Sequence, residues 1–529
     1  MTSAASSTRI ETAVTNLHLG NEMGNQPDIK IGIELLREEF SAKSPQSHVR
    51  ARHCRRTHPG ATLLVAMVLA CCILANAQHW TPVTIPFPGN ATTALVLTDG
   101  DVIVNDDITG WWWLLLPDEQ DDYANGIWVP SPVSLNYAPL YFASAILPDD
   151  RMIVEGGEYN FGQKADTTKG AIFDEKTGVW TAVHHPKGWT KIGDAPSVVL
   201  PNGTFMMGAV GSKKQALLNP TTLKWTSTGA GKADSNSEEG WTLLPNGKVL
   251  TIDTQNGKQS ELYDPGTGTW SAAGNLPFFL GNNCGKNIVP ELGPAVLRPD
   301  GTVFVVGANN KTAIYNVSTG EWSAGPSFPE GYGSADGPAS ILPNGNVLVQ
   351  VSPCFKPPSL FFEFDGTNLN LAPMPPRAPF DKSYHARMVV LPHDGHVLFT
   401  DGSNDVEVYV PKGSPKSAWL PTITFHPGTV TRGKAYFVKG RRLNGMTQGA
   451  AYGDDAQMAT NFPLVRITNN ATGHVFYART RNFSTMGVAT GNAIVSAVFI
   501  PPKAMETGAS KMVVVANGLA SKSVALTVH

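Results

Sequence analysis

The stretch AVLRPDGTVFVV, residues 295–306, sets the fold of this chain. Two apolar, β-rich runs flank Asp300-Gly301, and Asp-Gly supplies the positive φ angles that a tight hairpin turn needs. The same phrase returns as TALVLTDGDVIV (93–104), SAILPDDRMIV (144–154), SVVLPNGTFMM (197–207), TLLPNGKVLTI (242–252), SILPNGNVLVQV (340–351) and MVVLPHDGHVLF (388–399). The turn anchors are Asp99, Asp149, Asn202, Asn246, Asp300, Asn344 and Asp394, spaced 50, 53, 44, 54, 44 and 50 residues apart. A hairpin recurring at a period near fifty predicts a β-propeller with one blade per repeat, hence seven blades.

A second phrase completes each blade. Asp174 to Trp180, Asn219 to Trp225, Asp264 to Trp270 and Asn316 to Trp322 share an offset of six, and each Trp is followed by Thr or Ser. This reads as a second hairpin, in which Asp or Asn opens the turn and Trp leads the outermost strand. Two hairpins make a four-stranded blade. The seventh repeat has Lys416 at the Trp offset, whereas Trp80-Thr81 stands ahead of the first repeat. The segment around Trp80 is therefore expected to complete blade seven and close the ring.

The propeller is placed at residues 78–419, with a second module at 420–529. Strand-like runs there, AYFVKG, PLVRITN, HVFYART, AIVSAVFI, KMVVVA and VALTV among them, are punctuated by Gly, Asn and Pro. About 110 residues of this kind fit an immunoglobulin-like β-sandwich. The expected class is thus all-β throughout.

Residues 1–49 are polar and read as a disordered extension. Residues 50–77 read as a targeting segment: Arg50, Arg52, Arg55 and Arg56 precede a charge-free apolar run, and Ala75-Asn76-Ala77 forms a small-residue cleavage site. The chain is expected to be secreted or extracytoplasmic, or alternatively anchored to a membrane by residues 61–77. With a net charge of −3 and no basic stripe, nucleic acid is excluded as a partner. Outside the leader only Cys284 and Cys354 remain, on loops that a propeller brings to one face of neighbouring blades. They form either a disulfide, as an oxidising compartment permits, or two separate thiols.

The combination of leader, seven kelch-type blades and C-terminal sandwich resembles the galactose oxidase family, across essentially residues 78–529. The most specific local match is SYHARMVVLPHDGHVLFTDG, residues 383–402. The resemblance implies a propeller followed by an immunoglobulin-like (early-set) domain, with Tyr384 and His385 as copper ligands. It also implies a Cys–Tyr radical cofactor and a second His ligand from the C-terminal domain. Aligning by blade number puts Tyr141 at the family's Cys position and Asp194 at its radical Tyr; aligning by local phrase puts Tyr141 at the radical Tyr. No Cys is available in either alignment. The C-terminal segment YGDDAQMATNFPLVRIT, residues 452–468, contains no His. Most blades lack the kelch double glycine, present here as Gly156-Gly157.

Counting eight residues back from each hairpin anchor selects Ala91, Tyr141, Asp194, Glu238, Leu292 (beside Glu291) and Asp336, with His385 in the last repeat after one inserted residue. Asp194, Glu238, Glu239, Glu291, Asp336, Tyr384 and His385 are expected to gather at the channel mouth. Such carboxylates attract a hard cation such as Ca²⁺ through oxygen ligands, or act as a general acid and base when crowding separates their pKa values. Asp454-Asp455 is expected to face the same opening, His184-His185 to be solvated, and Trp111-Trp112-Trp113 either to stack on sugar or to be buried between blades. Three readings follow. The first is a binding protein for carbohydrate or a surface polymer. The second is a copper-dependent oxidase of alcohols or aldehydes with altered ligands, using Tyr384, His385 and Tyr141. The third is a carboxylate acid/base enzyme.

Overall fold

The turn chemistry acts as the sequence predicts. In the computed structural model, which describes residues 78–255, 258–281, 290–455 and 458–529, the turn glycines Gly203, Gly301 and Gly345 have φ of 85°, 85° and 86°. The second repeat carries Asp150 at this place, with φ of 75°. The anchor side chains close each turn: Oδ1 of Asn202, Asn246, Asp300 and Asn344 accepts the backbone N–H two residues on, at 2.9–3.1 Å. In the outer hairpins, Oδ1 of Asp174 and Asn219 accepts two successive N–H groups in the same manner.

Among the described residues these hairpins build seven antiparallel repeat sheets of four strands, the sixth extended by a fifth strand. Burial falls from the inside outward. Ala91–Val96 and Val347–Val351 are buried at every position, as strands packed on both faces must be. The outer strand Val179–Ala182 is mostly exposed. Its Trp is retained because the ring packs on the neighbouring strand: Phe173 with Trp180, Tyr263 with Trp270, and Tyr315 with Trp322 lie 5.0, 5.4 and 5.0 Å apart.

Adjacent sheets pack face to face. One apolar cluster joins Val198 and Met206 of the third repeat to Leu243 and Leu250 of the fourth and Val303 of the fifth. Further clusters join the fifth to the sixth through Phe304 and Val349, and the sixth to the seventh through Leu348 and Met388. The seventh sheet is completed from the other end of the chain. His79–Pro82 pairs antiparallel with Val406–Val410, Trp80 opposite Tyr409. Thr400 Oγ1 then donates to the Thr92 carbonyl at 2.6 Å, linking the last repeat to the first.

Beyond residue 420 the chain forms a nine-stranded sheet within residues 422–528, antiparallel except where Thr429–Val430 runs parallel to Val524–Val528. Eight of the strands follow one continuous hydrogen-bonded path, and Leu519–Ala520 pairs off it with Gly508–Ala516. Ala450–Ala451 leaves this sheet and pairs with Ala339–Ile341, the inner strand of the sixth repeat. That excursion brings the C-terminal module to the functional site.

The leader read at residues 50–77 and the extension 1–49 lie outside the described residues, as does Cys284. Cys354 is disulfide-bonded. Among the described residues no helix is long and apolar enough to cross a membrane.

Candidate functional site

At the mouth of the repeat array lies a cavity of about 300 Å³. Five carboxyl side chains line it: Glu158, Asp194, Glu238, Glu291 and Asp336. Four aromatic rings complete the wall, those of Tyr141, Tyr159, Phe355 and Tyr384. These residues come from six of the seven repeats, so the site exists only when the array is closed. The eight-residue count from the hairpin anchors lands on Tyr141, Asp194, Glu238 and Asp336, all in this lining.

The backbone at these positions is unusual. Tyr141, Glu238 and Asp336 occupy the equivalent place in three repeats and have φ of 53°, 56° and 47°. Left-handed conformations cost a non-glycine residue roughly 1–3 kcal/mol and cluster at functional sites. Three at one register around one cavity turn carboxyl and phenol groups out of the strand direction. Backbone hydrogen bonds hold the geometry, with Asp336 N–H donating to Leu292 O at 3.0 Å and Glu158 N–H to Tyr141 O at 2.9 Å.

A segment from the C-terminal module enters beside them. Gly453 is glycine by necessity, since a Cβ there would sit 2.7 Å from the Asp336 Cα and 3.1 Å from the Leu292 carbonyl. The Tyr452 hydroxyl donates to the Tyr384 carbonyl at 2.8 Å. Asp454 and Asp455 follow, both buried. Arg387 is 1 % exposed and lies between two nearly parallel rings, its guanidinium carbon 3.4 Å from the Tyr452 centroid and 5.4 Å from that of Tyr141. Its Nη1 donates to the carbonyls of Ala386 and Tyr384, and Nη2 stands 3.9 Å from Asp455. Arg387 is thus the site's internal positive charge.

Carboxylates crowd into two triads whose oxygens lie within 4.8 Å of one another, Glu238–Glu291–Asp336 and Asp194–Asp454–Asp455. Burial first, and then the neighbouring acids, drive Asp194, Glu238 and Asp336 well above the ordinary carboxylate range. Glu291 is pushed up to about 10 by burial, then by Glu238. Tyr141 also rises, chiefly through burial, with Arg387 opposing. Without a cation the acids share protons, because like charges this close cannot all ionise.

Two expected members are absent from the wall. Glu239 follows Glu238 directly but points to the opposite side, into a separate buried cluster. There Lys232 Nζ lies 3.1 Å from Glu239 and 3.6 Å from Asp253, and also bonds Glu261. His385 turns away from the cavity: its ring packs on Tyr384 and over Gly402, where an added Cβ would be 3.6 Å away. Burial, then Lys382 and Arg387, hold its imidazole down to about 4. Ser383–His385 form a short 3₁₀ turn, unlike the equivalent segments of the other repeats, so the count that already allowed for the inserted residue falls one position past Tyr384, which takes the wall.

The other candidates are placed as well. Trp112 is fully buried, between Phe142 and Trp180. His184 and His185 are exposed away from the cavity. His474 sits between Glu119 and Glu506, at 3.2 and 2.8 Å, not at the mouth. Sequence reasoning missed Arg387, Glu158, Tyr159 and Phe355. Arg387 lay in the quoted SYHAR phrase, and Glu158-Tyr159 directly follows the double glycine.

The resemblance implies copper, and the lining tests that implication. Its donors are carboxylate and phenol oxygens, its one histidine candidate faces elsewhere, and among the described residues no cysteine lines it. Imidazole ligands suit copper, whereas carboxylates suit Ca²⁺, Mg²⁺ or Mn²⁺. The residues present do not fit a copper-radical centre.

No protein-family model matches the chain, and no curated protein matches it in sequence. Solved structures do. A fungal alcohol oxidase of the AA5 family, solved in complex with copper, superposes with a TM-score of 0.50 at 15% identity, covering 86% of this chain and all of that one. A catalytically inactive virginiamycin B lyase from Staphylococcus aureus, solved with quinupristin, gives a TM-score of 0.47 at 10% identity, covering 63% of this chain and 99% of that one. At such identities the likeness concerns the fold alone. The chain has a β-propeller fold of the galactose-oxidase-like kind.

Proposed function

We propose that this chain is an exported galactose oxidase-like protein that binds carbohydrate at the channel mouth and lacks copper-radical chemistry. In this reading the seven repeat sheets are the blades of a kelch-type propeller. The nine-stranded sheet is the counterpart of the early-set, immunoglobulin-like domain, and residues 50–77 are the export signal. The observation that carries the proposal is the composition of the 300 Å³ cavity, whose lining combines four aromatic side chains with five carboxyl groups. Its size is at the lower end of small-molecule sites, about 300–1,000 Å³. An aromatic face packs on the apolar face of a pyranose, and carboxylates accept hydrogen bonds from its hydroxyls. Tyr141 and Tyr159, at 6.0 Å and 67°, form an aromatic corner suited to this.

The test is a glycan array followed by calorimetry on the purified full chain. A polyhydroxylated ligand is expected to bind, and Tyr159→Ala to weaken it roughly tenfold, the size of one lost stacking contact. Bound copper together with peroxide release from alcohols or aldehydes would replace this reading by the oxidase one. Absence of binding across sugars and surface polymers would remove it.

A further inference from the structure

Three buried or half-buried acidic triads occur among the described residues, and two are supplied with a cation by the chain itself. Asp234–Glu239–Asp253 has Lys232, whose Nζ bonds Glu239 at 3.1 Å. Asp194–Asp454–Asp455 has Arg387 at 3.9 Å from Asp455. Glu238–Glu291–Asp336 has neither lysine nor arginine within ion-pair distance among the described residues, yet all three side chains line the cavity. A second observation is independent of this crowding. Glu291 is only 8 % exposed, and its Oε2 has no hydrogen-bond partner among the described residues. The Asp336 Oδ1 is likewise sequestered without a partner. A buried carboxylate oxygen aimed into a cavity without a donor costs several kcal/mol unless a counter-charge meets it.

We propose that Glu238, Glu291 and Asp336 hold a divalent hard cation, Ca²⁺ by preference, in the channel-mouth cavity. Oxygens within 4.8 Å of one another can all reach one centre at Ca²⁺–oxygen distances of about 2.3–2.6 Å. Three carboxylates leave further coordination positions open toward the cavity, for water or for hydroxyls of a bound ligand. The ion relieves the repulsion of the triad and draws together three repeats, the fourth, fifth and sixth. The inference goes beyond carbohydrate binding and does not depend on it.

The experiment uses the full chain stripped with chelator and then given CaCl₂, MgCl₂ or CuCl₂ with no sugar present. Saturating Ca²⁺ is expected to raise the melting temperature by on the order of 5 °C, with one ion bound per chain in calorimetry. Glu291→Gln and Asp336→Asn are expected to lose that response while melting, in chelator, no lower than the wild type, which shows that they are folded. Glu506→Gln, beside His474 and away from the mouth, should keep it. No shift with Ca²⁺ or Mg²⁺, a shift retained in both triad variants, or stoichiometric binding of copper alone would overturn the proposal. Glycan binding repeated in chelator separates the two readings: sugar bound without the ion leaves the carbohydrate site standing alone, and ion bound without sugar leaves the cation site standing alone.

Discussion

Glu238 and Glu239 are neighbours in sequence and opposites in environment. Glu239 joins Asp253 and Glu261 around the amine of Lys232, a closed cluster with its counter-charge built in. Glu238 joins Glu291 and Asp336 on an open cavity with no such partner among the described residues. Neither glutamate lies in a strand, and the left-handed φ of 56° at Glu238 turns the two side chains apart, so one peptide step separates an ion cluster closed by its own lysine from one open to the cavity. Burial raises Glu239 and Asp253 just as it raises Glu238, Glu291 and Asp336. On Lys232 it acts downward, but Glu239 and Glu261 outweigh it and the net shift is upward. The difference lies in who provides the positive charge.

The comparison breaks most visibly at Lys232. Lys232→Met leaves the carboxylates of a closed cluster without their cation and should cost about 3–5 kcal/mol in urea unfolding; a loss below about 1 kcal/mol would mean that the two clusters do not differ. At the open cluster the sign reverses. In metal-free protein Glu291→Gln should stabilise the fold by about 1–2 kcal/mol at pH 8, because the amide no longer has to take up a proton on folding as the buried carboxyl does. Unfolding curves with chelator would check this. The pH dependence sharpens the contrast. Glu291 has an ordinary value of 4.5 and stands at about 10 in the folded protein. The folded state therefore holds a proton that the unfolded state has lost between those values, and metal-free stability falls as pH rises through that window. The fall should flatten above pH 7 in Glu291→Gln and with Ca²⁺; a slope that neither one changes would place the titration elsewhere. At the rim, where Lys164 meets Glu158 at 3.0 Å and is largely exposed, Lys164→Ala should alter stability by less than about 0.5 kcal/mol. A larger loss would show the rim pair to be less screened than its exposure suggests.

The fold was legible because turn chemistry is local. Asp-Gly or Asn-Gly sets six of the seven hairpins, Trp marks the outer strand of the second to fifth repeats, and the orphan Trp80 predicted its pairing with the last sheet. The site was legible where the hairpin register carries it: eight residues before the turn, Tyr141, Asp194, Glu238 and Asp336 reach one cavity. The count failed where local geometry departs from the repeat. A short 3₁₀ turn over Ser383–His385 put Tyr384 rather than His385 on the wall, and Glu239, one step past the left-handed Glu238, meets Lys232, a partner seven residues away with no motif to announce it. The left-handed φ at Tyr141 and Glu238 is also silent in sequence, since Tyr and Glu seldom take it, and Asp, which takes it more often, does so at too few places to single out Asp336. Entry of Asp454 was suggested only by the family resemblance, because no local rule pairs Ala450–Ala451 with a strand over a hundred residues earlier.

The strand His79–Pro82 has a consequence for how the molecule is made. It leaves the ribosome before any of the sheets, yet its hydrogen-bonding partner ends at Val410. At about 5–20 residues per second it waits on the order of tens of seconds as an unpaired edge. Throughout synthesis the growing arc of sheets keeps two sticky ends, and only the final repeat lets them meet. Biogenesis therefore favours whatever shields residues 79–82 in the interval, and a chain truncated before Val406 would expose a template for pairing with its neighbours.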